Sequence, residues 1–211
     1  MPAESPFEAL LEESARLHGH LCPGQVLGVR MSMLGLREAG IEEPRGRDRK
    51  NIIVFVEMDR CATDAVRSVT GTSLGKRTMK FLDYGKMAAT FLNLRTGKAV
   101  RVLAREDSRE KAKAWLPGAR DKYEAQLEAY KAMADEELFE VAEVEVDLMP
   151  QDMPGRPLGR VRCSSCGEHV QDLREVYRGG APLCRPCAHG AYYRVAGNAE
   201  GKAELVSAGR G

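Results

Sequence analysis

At 211 residues the chain is long enough for one domain with a sizeable core plus a small appendage. A hydrophobic fraction of 43%, a charged fraction of 30% and a formal net charge of +1 describe an ordinary globular protein and exclude a global basic field for nucleic acid or anionic lipid. No run of about 18 apolar residues is present, so no transmembrane helix is expected, and the opening Met1-Pro-Ala-Glu-Ser-Pro6 has neither a basic nor an apolar leader segment. A cytoplasmic protein is the expectation.

In chain order, Phe7, Leu10, Leu11, Ser14 and Leu17 recur at helical spacing and predict an amphipathic helix over 7–17. His18-Gly-His-Leu-Cys-Pro-Gly24 interrupts it. Pro23 suits the first turn of a second helix, which runs on to Gly40. Residues 45–50 form a charged loop, and the β-branched run 51–57 predicts a buried strand. Residues 59–71 read as a capped helix closed by Gly71. Residues 88–94 and 99–104 flank a short loop and predict a hairpin. A helix is expected over 108–136, with Tyr123, Leu127 and Tyr130 on one face. The alternation over 138–147 predicts a half-buried strand. Three prolines and two glycines in 149–159 mark a boundary. Helices and strands mix without βαβ alternation, so the fold class is α+β. The expected domains are a mixed helix and sheet core over 1–150 and a small zinc-ribbon-like module over 160–200.

Cysteine usage carries the chemistry. Cys163-Ser-Ser-Cys166 and Cys184-Arg-Pro-Cys187 stand seventeen residues apart. Two tight turns of this kind complete a tetrahedral four-thiolate shell, and zinc is the expected ion. Such a shell has no open position, so its role is structural in a module too small to fold on its own core. Between the knuckles, residues 175–183 read as a hairpin. His169 and His189 lie near the cysteines but are surplus to a filled shell.

A second cluster is less contiguous. His18, His20 and Cys22 recur at period two, so an extended segment would project all three to one side. Cys22 precedes one helix and Cys61 begins another, positions where the helix dipole favours a thiolate. With Asp64 to hand, these are suitable donors for one divalent metal, again expected to be zinc. Spacing alone leaves open the alternative that both cysteines are small buried hydrophobes and the histidines cap a turn. Gly71-Thr-Ser-Leu-Gly-Lys-Arg-Thr78 is one residue too short between its glycines for a P-loop and follows a helix rather than a strand. Lys76 in that loop is at most an anion neighbour.

Taken in order, His18-Gly-His-Leu-Cys-Pro-Gly-Gln-Val-Leu-Gly-Val-Arg-Met31, Cys61-Ala-Thr-Asp-Ala65 and Gly71-Thr-Ser-Leu-Gly-Lys76 resemble the successive motifs of the FmdE family, named for the E chain of formylmethanofuran dehydrogenase. The four-cysteine finger resembles one that many members append, and the match runs over 14–195. The resemblance implies an α+β core, often a homodimer, with a metal on His18, His20, Cys22 and Cys61 and with Asp64 beside them. It also implies association with molybdenum or tungsten enzymes that reduce carbon dioxide to a formyl group. Two principal functions follow as expectations: an accessory subunit or assembly factor for such an oxidoreductase, or a metalloenzyme in its own right at the N-terminal site. A nucleic-acid-binding finger ranks third, because acids interleave the local arginines and no aromatic platform is evident.

Overall fold

In the computed structural model, which describes residues 5–196, the chain enters its first helix through a reciprocal cap. The Ser5 hydroxyl accepts the Glu8 backbone N–H at 3.2 Å, and the Glu8 carboxylate accepts the Ser5 N–H at 3.0 Å. Helix α1 (Pro6–His18) ends where Gly19 turns left-handed, at φ 96°. Helix α2 (Pro23–Glu38) follows after four residues and is buried on most of its surface. The expected break at Gly40 is present, at φ 67°.

Strand β1 (Ile52–Val56) leads to α3 (Cys61–Thr70), then to β2 (Met79–Phe81), β3 (Ala88–Asn93) and β4 (Ala99–Ala104). With β5 (Phe139–Val144) they form one sheet in the order β2-β1-β3-β4-β5, in which only the β1–β2 pair is parallel. The fold is α+β. Val54 opposes Phe91, and with Val56 and Val102 they bury one sheet face in the core shared with the helices. On the other face lie Ile53, Leu92 and Ala99, and a bidentate Arg101–Glu57 pair at 2.7 and 2.8 Å holds a carboxylate that is almost wholly buried.

Close approach of α2 to its neighbours needs glycine. A methyl group on Gly28 would sit 2.6 Å from the Ala65 Cβ and 2.7 Å from the Ala62 carbonyl oxygen. One on Gly35 would sit 2.1 Å from the Phe91 ring. Seven residues apart and thus on one side of the helix, these two positions let α2 lie directly on α3 and on β3. Asn93 then fastens the helix end to the sheet, donating to the carbonyls of Ala39 and Gly40 at 3.0 and 3.2 Å.

Three expectations need correction. The stretch 108–136 is not one helix but three pieces, α4 (Ser108–Trp115), α5 (Lys122–Ala132) and α6 (Asp135–Leu138). Pro117 cannot donate to a helical carbonyl and pushes Leu116 to φ −128°, ψ 75°. Asp121 restarts the chain by accepting the N–H groups of Tyr123 and Glu124 at 2.8 and 3.0 Å. As a result Tyr123, Leu127 and Tyr130 do not share one fate: Tyr130 is buried, Leu127 partly so, and Tyr123 exposed. The strand expected over 138–147 is shorter and is an edge, paired only with β4, so that Phe139 alone is fully buried. Helix α3 starts without a side-chain cap, since neither Asp59 nor Arg60 supplies one.

Arg30 of α2 anchors the end of α5. Its guanidinium donates to the Tyr130 carbonyl at 2.9 Å and to that of Met133, and pairs with Asp135 at 2.6 Å. A cation at a helix C-terminus satisfies carbonyls that have no further turn to bond.

The described residues fall into two compact units whose boundary runs through 149–155. The second unit holds a hairpin of β6 (Arg160–Arg162) and β7 (His169–Gln171), a hairpin of β8 (Val176–Arg178) and β9 (Ala181–Leu183), and the short helix α7 (Arg185–His189). Gly179 and Gly180, at φ 56° and 79°, make the two-residue turn between β8 and β9. Residues 197–200, the end of the expected second domain, lie outside the described residues.

The glycine contacts give a direct test. Gly28→Ala should destabilise the core by about 1–3 kcal/mol in urea unfolding through overpacking. Gly118→Ala, with open space at its Cβ position, should change stability by less than about 0.5 kcal/mol.

Candidate metal centres

In the second unit the ligand atoms of Cys163, Cys166, Cys184 and Cys187 all lie within 4.8 Å of one another. Each knuckle is a tight turn. Cys163 donates its N–H to the Glu168 carbonyl at 2.8 Å, and Gly167, at φ 79°, donates back to the Cys163 carbonyl at 3.0 Å. The Ser164 N–H reaches the Pro182 carbonyl at 2.9 Å, which locks the first knuckle to the second hairpin. Backbone N–H groups also point at sulfur: Cys184 donates to the Cys163 Sγ at 3.2 Å and Cys187 to the Cys184 Sγ at 3.4 Å.

Those contacts set the thiol chemistry. Backbone N–H groups of Cys166 and Cys184 pull the Cys163 thiol down to about 6. At Cys166 the Glu168 backbone also favours the anion, yet desolvation and the neighbouring thiols push it up to about 12. Crowding the thiols lets Cys163 ionise and pushes Cys166 and Cys184 up. A dication reverses that penalty, which is the donor chemistry of a closed zinc shell. His169 and His189 are not among these grouped donors.

In the first unit, His18 ends α1, Cys22 is the residue before α2, and Cys61 opens α3. The left-handed turn at Gly19 and the extended backbone of Cys22 fold His18, His20 and Cys22 together, with their ligand atoms within 4.8 Å of one another. The two imidazole rings lie 4.7 Å apart, tilted by 41°. His18 Nδ1 is 2.8 Å from the Asp64 Oδ2. Its other ring nitrogen, Nε2, is buried with no hydrogen-bond partner.

A buried imidazole nitrogen without a partner costs free energy unless something occupies it. A histidine oriented by a carboxylate through one nitrogen and free at the other is the arrangement found behind metal ligands. The donor set therefore fits a divalent ion, with His18 Nε2, His20 and Cys22 as the holding groups. Cys61 is not within the trio, but its thiol neighbours that of Cys22, and both sulfurs stand 3.7 Å from the Cβ position of Gly24. The expectation of a dipole-favoured thiolate at Cys61 is not met: desolvation and the Cys22 thiol push it up. Lys76 is also elsewhere. Its ammonium donates to the Gly71 carbonyl at 3.0 Å and lines a separate cavity of about 300 Å³ that touches Asp64 and Arg67.

Two features escaped sequence reasoning. Gln25, wholly buried, accepts from the Ser14 hydroxyl and donates to the Cys61 carbonyl at 2.6 Å, joining α1, α2 and α3 behind the trio. A lone amide inside an apolar helix was the available signal. The second is a cleft of about 660 Å³ whose lining brings His20, Cys22 and Cys61 together with Arg109, Lys113 and Lys122. The i, i+4 pair Arg109 and Lys113 was legible as one basic helix face.

Residues 17–149 match the family described as FmdE, molybdenum formylmethanofuran dehydrogenase operon. The chain belongs to the FmdE family. Residues 156–193 match the prokaryotic dksA/traR C4-type zinc finger, so this FmdE protein is zinc-binding. A protein of Archaeoglobus fulgidus named "Probable S-adenosyl-L-methionine-binding protein" is 33% identical over 219 residues, spanning 92% of this chain, while this chain spans 56% of that relative. The crystal structure of a tungsten formylmethanofuran dehydrogenase FmdE-like protein from Syntrophus aciditrophicus superposes with a TM-score of 0.58 at 22% identity, over 92% of this chain and 100% of that one. That likeness establishes the fold. Among the described residues no helix is long and apolar enough to cross a membrane.

The carboxylate behind His18 can be tested on its own. Asp64→Asn should lower metal affinity at the N-terminal site by about 10–100-fold in competition with a chromophoric chelator, with the finger's zinc retained.

Proposed function

We propose that the FmdE domain of this protein is a metal-dependent small-molecule site and that the finger is its structural appendage. The observation that carries the reading is the buried, unpartnered Nε2 of His18, beside His20 and Cys22 at the wall of a 660 Å³ cleft. His20 and Cys22 line the cleft, and a set of three protein donors leaves a coordination position open, as in catalytic rather than structural zinc sites. A divalent ion bound there supplies a Lewis-acidic position for water or an anionic ligand group. The chain's own residues hold and orient that site. Asp64 fixes the tautomer of His18, Gln25 holds the backbone of Cys61 in place, and Cys61 places its thiol beside that of Cys22. Cavities of this size accommodate molecules of cofactor or metabolite scale. The name of the Archaeoglobus fulgidus relative makes S-adenosyl-L-methionine the first ligand to try.

A second reading is supported by the family's description and by the name of the Syntrophus aciditrophicus protein. In it the chain is an accessory subunit, or an assembly or cofactor factor, for a molybdenum- or tungsten-dependent formylmethanofuran dehydrogenase, acting as a cytoplasmic homodimer. The two readings part over whether the isolated chain binds a small molecule in a metal-dependent way.

Metal analysis tests the first. Wild type should carry two divalent ions per chain, and Cys22→Ala and Cys163→Ala should each carry one. A Cys22→Ala protein with undiminished metal would overturn the N-terminal site.

A further inference from the structure

The cleft beside the His18–His20–Cys22 trio has a wall that the metal reading does not use. Arg109 and Lys113 are four residues apart on α4, and Lys122 opens α5, so the break at Pro117 folds three cations onto the same cavity. Glu110 is the one carboxylate among its lining residues. Lys113 and Lys122 have no ion-pair partner among the described residues, and Arg109 shares only the exposed Glu106 at 3.1 Å. Lys122 lies 5.8 Å from the Tyr123 ring centroid, a contact that leaves its charge uncompensated.

An excess of charges of one sign around a concave wall focuses field into it and raises the local concentration of the opposite ion. Other groups hold α5 in place: Arg30 binds the carbonyls at its end, and Asp121 caps its start. The lining also has an apolar part, made of Pro23, Leu27, Met87, Ala125 and the buried Tyr130.

We propose that this cleft binds a small organic acid. Its carboxylate or phosphate sits among Arg109, Lys113 and Lys122, and its apolar body lies over Leu27 and Met87 towards His20 and Cys22. This rests on the reading of the cleft as a ligand site, but the cationic wall stands whether or not a metal fills the trio. The arginine fork and the lysine ammonium groups are suited to both oxyanions, so the two ligand chemistries are separated by experiment.

The 211-residue, zinc-loaded protein is titrated by calorimetry with benzoate, phenyl phosphate and, as the uncharged counterpart, benzyl alcohol. At least one anion should bind, at least ten-fold more tightly than benzyl alcohol, and the tighter anion identifies the headgroup. Lys113→Glu with Lys122→Glu should cost that anion at least ten-fold, and Lys113→Gln with Lys122→Gln a smaller factor. Both variants should keep wild-type metal content and circular dichroism. The proposal is overturned if neither anion binds, if benzyl alcohol binds equally well, or if charge reversal leaves the affinity unchanged. Metal content separates this from the preceding claim. Anion binding by a protein with an empty N-terminal site supports the cleft and sinks the metal reading, whereas a filled site with no anion binding does the reverse.

Discussion

One buried amide holds the N-terminal site together. Gln25 lies inside the helical layer, where its oxygen accepts from Ser14 of α1 and its nitrogen donates to the carbonyl of Cys61 at the start of α3. An amide in that position, if left unpaired, costs about 1–3 kcal/mol, so the three helices are bound to one relative arrangement. That arrangement places the end of α1, the start of α2 and the start of α3 at one point. His18, Cys22 and Cys61 are the residues at those three ends. The chemistry follows from the register of a single polar contact.

Small residues make the contact reachable. Gly24 faces the Cys61 side chain and Gly28 faces Ala62 and Ala65, so α2 and α3 approach closer than any Cβ-bearing pair would allow. The second unit solves a different problem. It has hairpins too short to bury a core and uses four sulfurs and their backbone N–H partners instead. The four-thiolate site there is a substitute for packing, whereas the His18–His20–Cys22 group is set into a packed domain and leaves one imidazole nitrogen without a partner.

Much of this was legible in the residues. Proline and glycine punctuation placed α1, α2 and the β3–β4 hairpin, because local backbone restrictions act without tertiary help. The two C-x-x-C pairs declared their shell by spacing. The period-two run His18, His20, Cys22 pointed to convergence, though whether it would be realised depended on the left-handed turn at Gly19. What was not legible depends on long-range contact. Asp64 lies 46 residues from His18 in sequence, and Gln25 36 from Cys61. The helix pattern over 108–136 concealed the break at Pro117, and with it the cationic wall. Short strands such as β2 and β6 carry too few residues for a pattern. The helix-dipole argument failed at Cys61 because desolvation and an adjacent thiol outweigh it.

The central claim is that the free nitrogen of His18 is a metal ligand in a site separate from the finger. Anomalous diffraction from crystals of the zinc-loaded protein tests it most directly. The account predicts two peaks per chain, one at the four cysteines and one at about 2.0–2.1 Å from the His18 Nε2, with Asp64 still on Nδ1. A single peak at the finger, or a second peak on His18 Nδ1 with Asp64 displaced, would contradict it.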